Sequence, residues 1–270
     1  MKKLIALVLS LLAVSSLVAG CSSGKGTTVN SGEKSVTFSL LSSPASLDPA
    51  TTTDGHSLMV ETQLFSMLVE SKGGTSNEIK PDIAESWEIS EDGLTYTFKL
   101  RDDVYFHNGK LLTADDVVYT FNRVMTEPYT SYYAAPIKSV EATDEHTFVA
   151  HLNYPFADFL TLVGGIYFGI CCEEAITAGS DFMYKPVGTG PYKLEGGYIP
   201  GQAFKFVYND QYYGAEPDIK EINFKIQPDT NTAVISLQNG EVDFIPALTV
   251  NDIGTIENDE NLALYQAPSY

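Results

Sequence analysis

Residues 94–125 read LTYTFKLRDDVYFHNGKLLTADDVVYTFNRVM, and this stretch decides the fold. Leu94, Tyr96, Phe98 and Leu100 alternate with Thr95, Thr97 and Lys99, the period of a strand with one buried face. Asp92-Gly93 ahead of it and Asn108-Gly109 after it are tight-turn pairs, so strand, turn, short strand and turn follow one another. Thr113 then opens a helix, with Asp116 three residues on, a capping box carrying Asp in place of Glu. Val117, Phe121, Val124 and Met125 recur at helical spacing and predict a buried stripe. Asp115 and Asp116 suit the positive end of the helix dipole.

Outward from this stretch, composition narrows the function classes. The chain has 270 residues, 44% hydrophobic and 11% aromatic, enough for one large domain or two small ones with a real core. Its formal net charge of −19 argues against nucleic acid as a partner, because a phosphate-binding surface is basic. Residues 1–20 have a secretory pattern: Lys2 and Lys3, an apolar run over Leu4–Leu12, then small residues. Leu17-Val18-Ala19-Gly20-Cys21 resembles a lipobox, which predicts a lipidated Cys21 as the mature N-terminus. Acyl chains on that sulfur give membrane affinity through buried methylenes. Residues 21–35 are rich in Ser, Gly and Thr and read as a flexible tether.

The rest of the chain alternates strands and helices. Val36–Leu41 reads as a strand, Ser46-Leu47-Asp48-Pro49 as a loop, and His56–Val69 as a helix whose buried face includes Leu58, Glu61-Thr62, Phe65 and Leu68-Val69. Trp87 reads as an apolar anchor at the start of a strand. The segment 126–136 carries Tyr129, Tyr132 and Tyr133; a cleft wall and a packed surface loop both fit it, since Tyr joins an apolar ring to a polar tip. Ser139–Ala142 and Thr147–Leu152 flank a second hairpin, and Pro155–Val163 is a short helix. Adjacent Cys171 and Cys172 read as two buried thiols, and no spacing of His and Cys makes a metal site. Phe204–Asn209 and Ile222–Ile226 are strands. Thr230–Asn239 is a helix ended by Gly240, and Val242–Ile245 is the strand after it, a parallel crossover.

Several phrases together carry a resemblance. DGLTYTFKLRDDVYFHNGKLLTADDVVYTFNRV, the SLDP loop, PDIAESW (81–87), PVGTGPY (186–192), the NDQYYG turn (209–214) and LQNGEVDFI (237–245) resemble the extracellular solute-binding proteins of family 5. These are oligopeptide-, dipeptide- and nickel-binding receptors of ABC importers. The resemblance implies a mixed α/β fold of the type II periplasmic-binding-protein kind. Residues 36–248 would be its first lobe and residues 249–270 the start of the crossover to a second lobe, which is mostly absent. It implies capture of a peptide, with a permease, its ATPase subunits and the membrane as partners, at the extracellular or periplasmic side. Same-family ligands such as nickel, haem or an oligosaccharide are the alternative. It also implies ligand contacts from Ser46, Leu47, Asp48, Tyr132 or Tyr133, Gly188, Thr189 and Gly190.

No catalytic residue, cofactor or metal is expected. The sequence has no GxSxG and no HExxH, and GTG lacks the GxGxxG spacing of a nucleotide loop. Since the resemblance spans only the front half of the family pattern, the chain is expected to be a truncated reading frame. In oligopeptide-binding relatives the acid that holds the peptide's N-terminus lies in the other lobe. One lobe alone predicts weak ligand binding and an exposed apolar wall.

Overall fold

The computed structural model describes residues 34–71, 78–179 and 181–266; the secretory segment, Cys21 and most of the tether lie outside them. In chain order the strands are β1 Lys34–Leu40, β2 Val69–Ser71, β3 Ile79–Pro81, β4 Ala84–Ile89, β5 Thr95–Leu100, β6 Ile137–Asp144, β7 Thr147–Leu152, β8 Tyr192–Leu194, β9 Phe204–Tyr208 and β10 Ile219–Ile226. The helices are α1 Gly55–Glu61, α2 Ala114–Thr126, α3 Phe159–Val163, α4 Glu173–Thr177, α5 Thr230–Gln238 and α6 Val250–Glu257, with a 3-10 turn at Ile166–Phe168.

Alternation builds the first sheet as expected. Tyr96, Phe98 and Leu100 are buried on one face of β5, whereas Lys99 is exposed. The order is β4-β5-β7-β6, antiparallel throughout, with Phe98 opposite both Trp87 and Phe148. Trp87 therefore sits within β4 rather than at its start. The Asp92-Gly93 turn closes the β4–β5 hairpin with Gly93 at φ 68°, a backbone angle that favours glycine. Helix α2 lies on this sheet: Phe121 packs 4.7 Å from Phe148 and 4.9 Å from Phe168 between ring centres. At its start the Asp116 carboxylate accepts from the Thr113 N–H at 3.1 Å, the backward arm of the capping box. Each fully buried Phe here contributes about 1.5–3 kcal/mol.

The second sheet has the order β1-β10-β9-β8, with β1 and β10 parallel and the remaining pairs antiparallel. Leu40, Leu47, Val60, Leu64, Phe65, Phe206 and Phe224 make its core. The crossover through α5 ends in one parallel bridge, Phe38 to Phe244, on the free side of β1. Val242–Ile245 thus pairs at a single point instead of forming the expected strand. Strand β1 starts at Lys34, two residues inside the expected tether. Helix α6 occupies the expected start of the crossover, and residues 258–266 form no strand.

The expected helix over His56–Val69 stops at Glu61, and the cause is tertiary. The carbonyls of Gln63 and Leu64 accept from the Tyr192 N–H (3.1 Å) and the Gly190 N–H (2.9 Å), so the chain turns to meet the 186–192 loop. Val69 then begins β2, which pairs with β3. The fit requires glycine: a Cβ on Gly188 would lie 2.1 Å from the Leu64 carbonyl oxygen, and one on Gly190 2.6 Å from that of Gln63. Gly188→Ala is expected to cost about 3 kcal/mol or more in urea denaturation. Gly254→Ala, inside α6 with open space around it, should gain about 0.5–1 kcal/mol instead.

Candidate functional site

Two loops converge at the C-terminal end of α2. The 44–54 loop wraps on its own side chains: Ser46 Oγ accepts from the Asp48 N–H at 3.0 Å, and Asp48 Oδ1 accepts from the Ala50 N–H at 3.2 Å. Asp54 then caps α1 by accepting from the Ser57 N–H at 3.0 Å. Arg123, near the end of α2, donates to both oxygens of Asp48, at 3.1 and 2.7 Å. This two-pronged ion pair is buried, and removing either partner would strand a charge in a dry site. The 127–136 loop docks on the same place, because Thr130 Oγ1 donates to the Ala50 carbonyl at 3.2 Å.

The tyrosines of that loop divide the work. Tyr132 is 83% exposed. Tyr133 stacks on Tyr167 of the 3-10 turn, with ring centres 4.2 Å apart, planes 18° apart and hydroxyls 3.3 Å apart. Burial, then the hydrogen bond shared with Tyr133, pushes the Tyr167 phenol up to about 12. The result is an aromatic face with polar tips beside a loop whose Thr53 and Gly55 are exposed.

Beneath this corner lies a residue with no obvious role in the fold. Glu61 at the end of α1 is fully buried, and neither of its carboxylate oxygens has a hydrogen-bond partner among the described residues. Burial, with Asp48 and Asp54 nearby, pushes its pKa up to about 9. The sequence did carry a signal, since Glu61 occupies a position on the apolar stripe of its helix. Arg123 and Tyr167 carried none, because their partners lie 75 and 34 residues away.

The other expected contact residues are internal in this lobe. Ser46, Leu47 and Asp48 are buried, as are Gly188, Thr189 and Gly190. The GTG segment is held by His107. The Gly188 N–H donates to Nδ1 at 3.3 Å, and Nε2 lies 3.2 Å from the Gly190 carbonyl. That pattern requires a neutral ring protonated on Nε2. Burial, aided by Lys193, pushes the His107 pKa down to about 4. Cys171 and Cys172 are free and buried, as expected; they pack into different cores, and burial raises the Cys171 thiol. Elsewhere, a cavity of about 380 Å³ lined by Leu237, Phe244, Ile256 and Tyr265 lies beside α6. Among the described residues no three His, Cys, Asp or Glu side chains converge on a metal site, and no helix is long and apolar enough to cross a membrane.

This arrangement can hold a ligand by stacking, hydrogen bonding and charge. The family model for bacterial extracellular solute-binding proteins, family 5, matches residues 78–270. The chain belongs to this family. It is 34% identical to haem-binding protein A of Haemophilus influenzae over 250 residues, covering 83% of this chain and 45% of that protein. It is 31% identical to the dipeptide-binding protein of Escherichia coli, covering 87% and 49%. The structure of the periplasmic binding protein DppA from Helicobacter pylori, in complex with the peptide STSA, superposes with a TM-score of 0.76 at 30% identity, covering 84% of this chain and 49% of that one. The fold is therefore that of the type II periplasmic binding proteins, and the chain spans about half the length of the curated relatives it matches.

The two displaced ionisations act on stability in opposite directions, and one pH series separates them. Neutral His107 stabilises fully above 6.5, and that contribution, about 3 kcal/mol, is lost as pH falls towards 4. Glu61 must stay protonated in the fold, so it costs stability increasingly from pH 4.5 up to about 9. Glu61→Gln should therefore raise the unfolding free energy by about 3 kcal/mol at neutral pH and leave it unchanged below the ordinary carboxylate range. Thermal melts of both proteins across pH check the two arms.

Proposed function

We propose that this chain is the ligand-capturing component of an ABC importer for peptides. It acts outside the cytoplasm, is held at the membrane by lipid on Cys21, and hands its ligand to a permease whose ATPase subunits drive transport. It does no chemistry on the ligand. The observation that carries this reading is the exposed Tyr132 beside the stacked Tyr133–Tyr167 pair, set against the 44–54 loop in a lobe of this family. Aromatic rings with polar tips suit a peptide, because they bury side chains of varied shape and still hydrogen-bond its backbone. Extended peptide in a partly wet cleft gains affinity from main-chain hydrogen bonds and bridging waters more than from any single pocket.

On this reading the site residues take separate roles. Tyr132 and Tyr133 contact the ligand. Ser46, Leu47 and Asp48 hold the rim loop in shape, and Gly188, Thr189 and Gly190 fix the floor under α1. The family closes two lobes over a ligand, so this lobe supplies one wall, and closure is what the permease reads. A relative's name gives a second reading: the Haemophilus influenzae protein is haem-binding. A flat aromatic face at Tyr133–Tyr167 is compatible with a macrocycle as well as with a peptide.

Calorimetry on the full chain with a panel of di-, tri- and tetrapeptides, and with haem, decides between these. Peptide binding that weakens about tenfold in Tyr133→Ala supports the proposal. Haem binding with no peptide binding overturns it. For the anchor, the native chain should partition into detergent from membranes and incorporate a labelled fatty acid. Cys21→Ser should abolish both, and unchanged labelling in that variant would remove the lipid from the account.

A further inference from the structure

Glu61 is the one group at this corner whose position costs stability and returns nothing to the fold. Its carboxylate is fully buried, and neither oxygen has a hydrogen-bond partner among the described residues. The groups that face it are mostly acidic. Asp48 and Asp54 come from the preceding loop, Tyr167 from the 3-10 turn and the Cys171 thiol from the segment after it. Arg123, the cation at the end of α2, is already held by both oxygens of Asp48 and lies 3.9 Å from Glu127. Asp48, Asp54 and Glu127 thus outnumber the single guanidinium even before Glu61 ionises. A buried carboxylate without a partner takes up a proton rather than carry charge in a dry site. A cation brought close reverses that preference.

Such a cation would arrive at the Tyr133–Tyr167 face, which lies within electrostatic reach of Glu61. Stacked tyrosine rings attract positive charge through their faces. Resting on the peptide-receptor reading, we propose that Glu61 is protonated in the empty lobe and gives up that proton when a positively charged peptide seats on the Tyr133–Tyr167 face, which makes the site select cationic peptides. The proton passes from the carboxyl oxygen to solvent, and the ligand's ammonium or guanidinium balances the charge left behind. Glu61 need not touch the ligand; it acts through the field beneath the rings and is a specificity-determining residue in that sense.

The test is titration calorimetry of the full chain near neutral pH with three tripeptides that differ only in a central Lys, Gln or Glu. Each is run in two buffers of different ionisation enthalpy, which counts protons released on binding. The Lys peptide should bind about tenfold tighter than the Gln peptide and release a proton that the Gln peptide does not. In Glu61→Gln the release should vanish and the preference should shrink to about twofold, while the Gln peptide binds as before; a purely structural role would move none of these differences. Equal binding of Lys and Gln peptides, absence of proton release in the unmodified chain, as a carboxylate kept ionised by an internal water would give, or proton release that survives in Glu61→Gln overturns the inference and leaves peptide capture standing. Binding of no peptide at all overturns peptide capture itself, and this inference with it.

Discussion

Two turns of backbone pressed together hold this lobe in shape. The Gly188–Gly190 segment lies so close to Gln63 and Leu64 that no Cβ fits between them. The contact joins the two cores: Leu64 and Phe65 belong to the mixed-sheet core, while His107, which grips Gly188 and Gly190, follows directly on Phe106 of the antiparallel-sheet core. Helix α1 ends where it does because its outgoing carbonyls are used by this loop. With α1 ended, Glu61 is fixed at its last turn and the 44–54 loop is fixed at its first, through the Asp54 cap. The candidate site is therefore positioned by a steric constraint far from its exposed face.

How much of this the sequence discloses depends on the range of the interaction. The β5 alternation, the Asp92-Gly93 turn and the Thr113–Asp116 start of α2 rest on neighbours within a few residues, and they are readable as such. The helix expected over His56–Val69 fails because its periodicity is genuine only to Glu61; beyond it, hydrogen bonds to residues 190 and 192 outweigh local preference. Val242–Ile245 has the composition of a strand, yet it touches β1 at one bridge. The family phrases were legible as a whole, but their geometry was not. PVGTGP stands out as a family phrase, and the structure adds that one backbone closes on another there.

The same distinction governs the site residues. Ser46, Leu47 and Asp48 attract notice in the sequence because they form a phrase, and the structure uses them to build a loop. Both carboxylate oxygens of Asp48 are engaged, by Arg123 and the Ala50 N–H. Tyr132 and Tyr133 were legible as amphipathic rings, but the stack that organises them needs Tyr167, which nothing near Tyr133 in the chain announces. Pairing across the fold, rather than residue type, decides which side chain faces solvent.

A buried carboxylate with no hydrogen-bond partner among the described residues contrasts with the paired acids around it. Asp116 takes Lys110, Asp48 takes Arg123, and Lys205 bridges Glu195 and Glu221. Selection for stability alone would replace Glu61 with glutamine or an apolar residue, since burial of an unpaired acid disfavours the fold at neutral pH. Groups kept at the expense of stability concentrate where molecules are bound. On the inference drawn above, Glu61 sits within electrostatic reach of the Tyr133–Tyr167 pair, among carboxylates that a neutral ligand would leave unbalanced and a cationic one would satisfy.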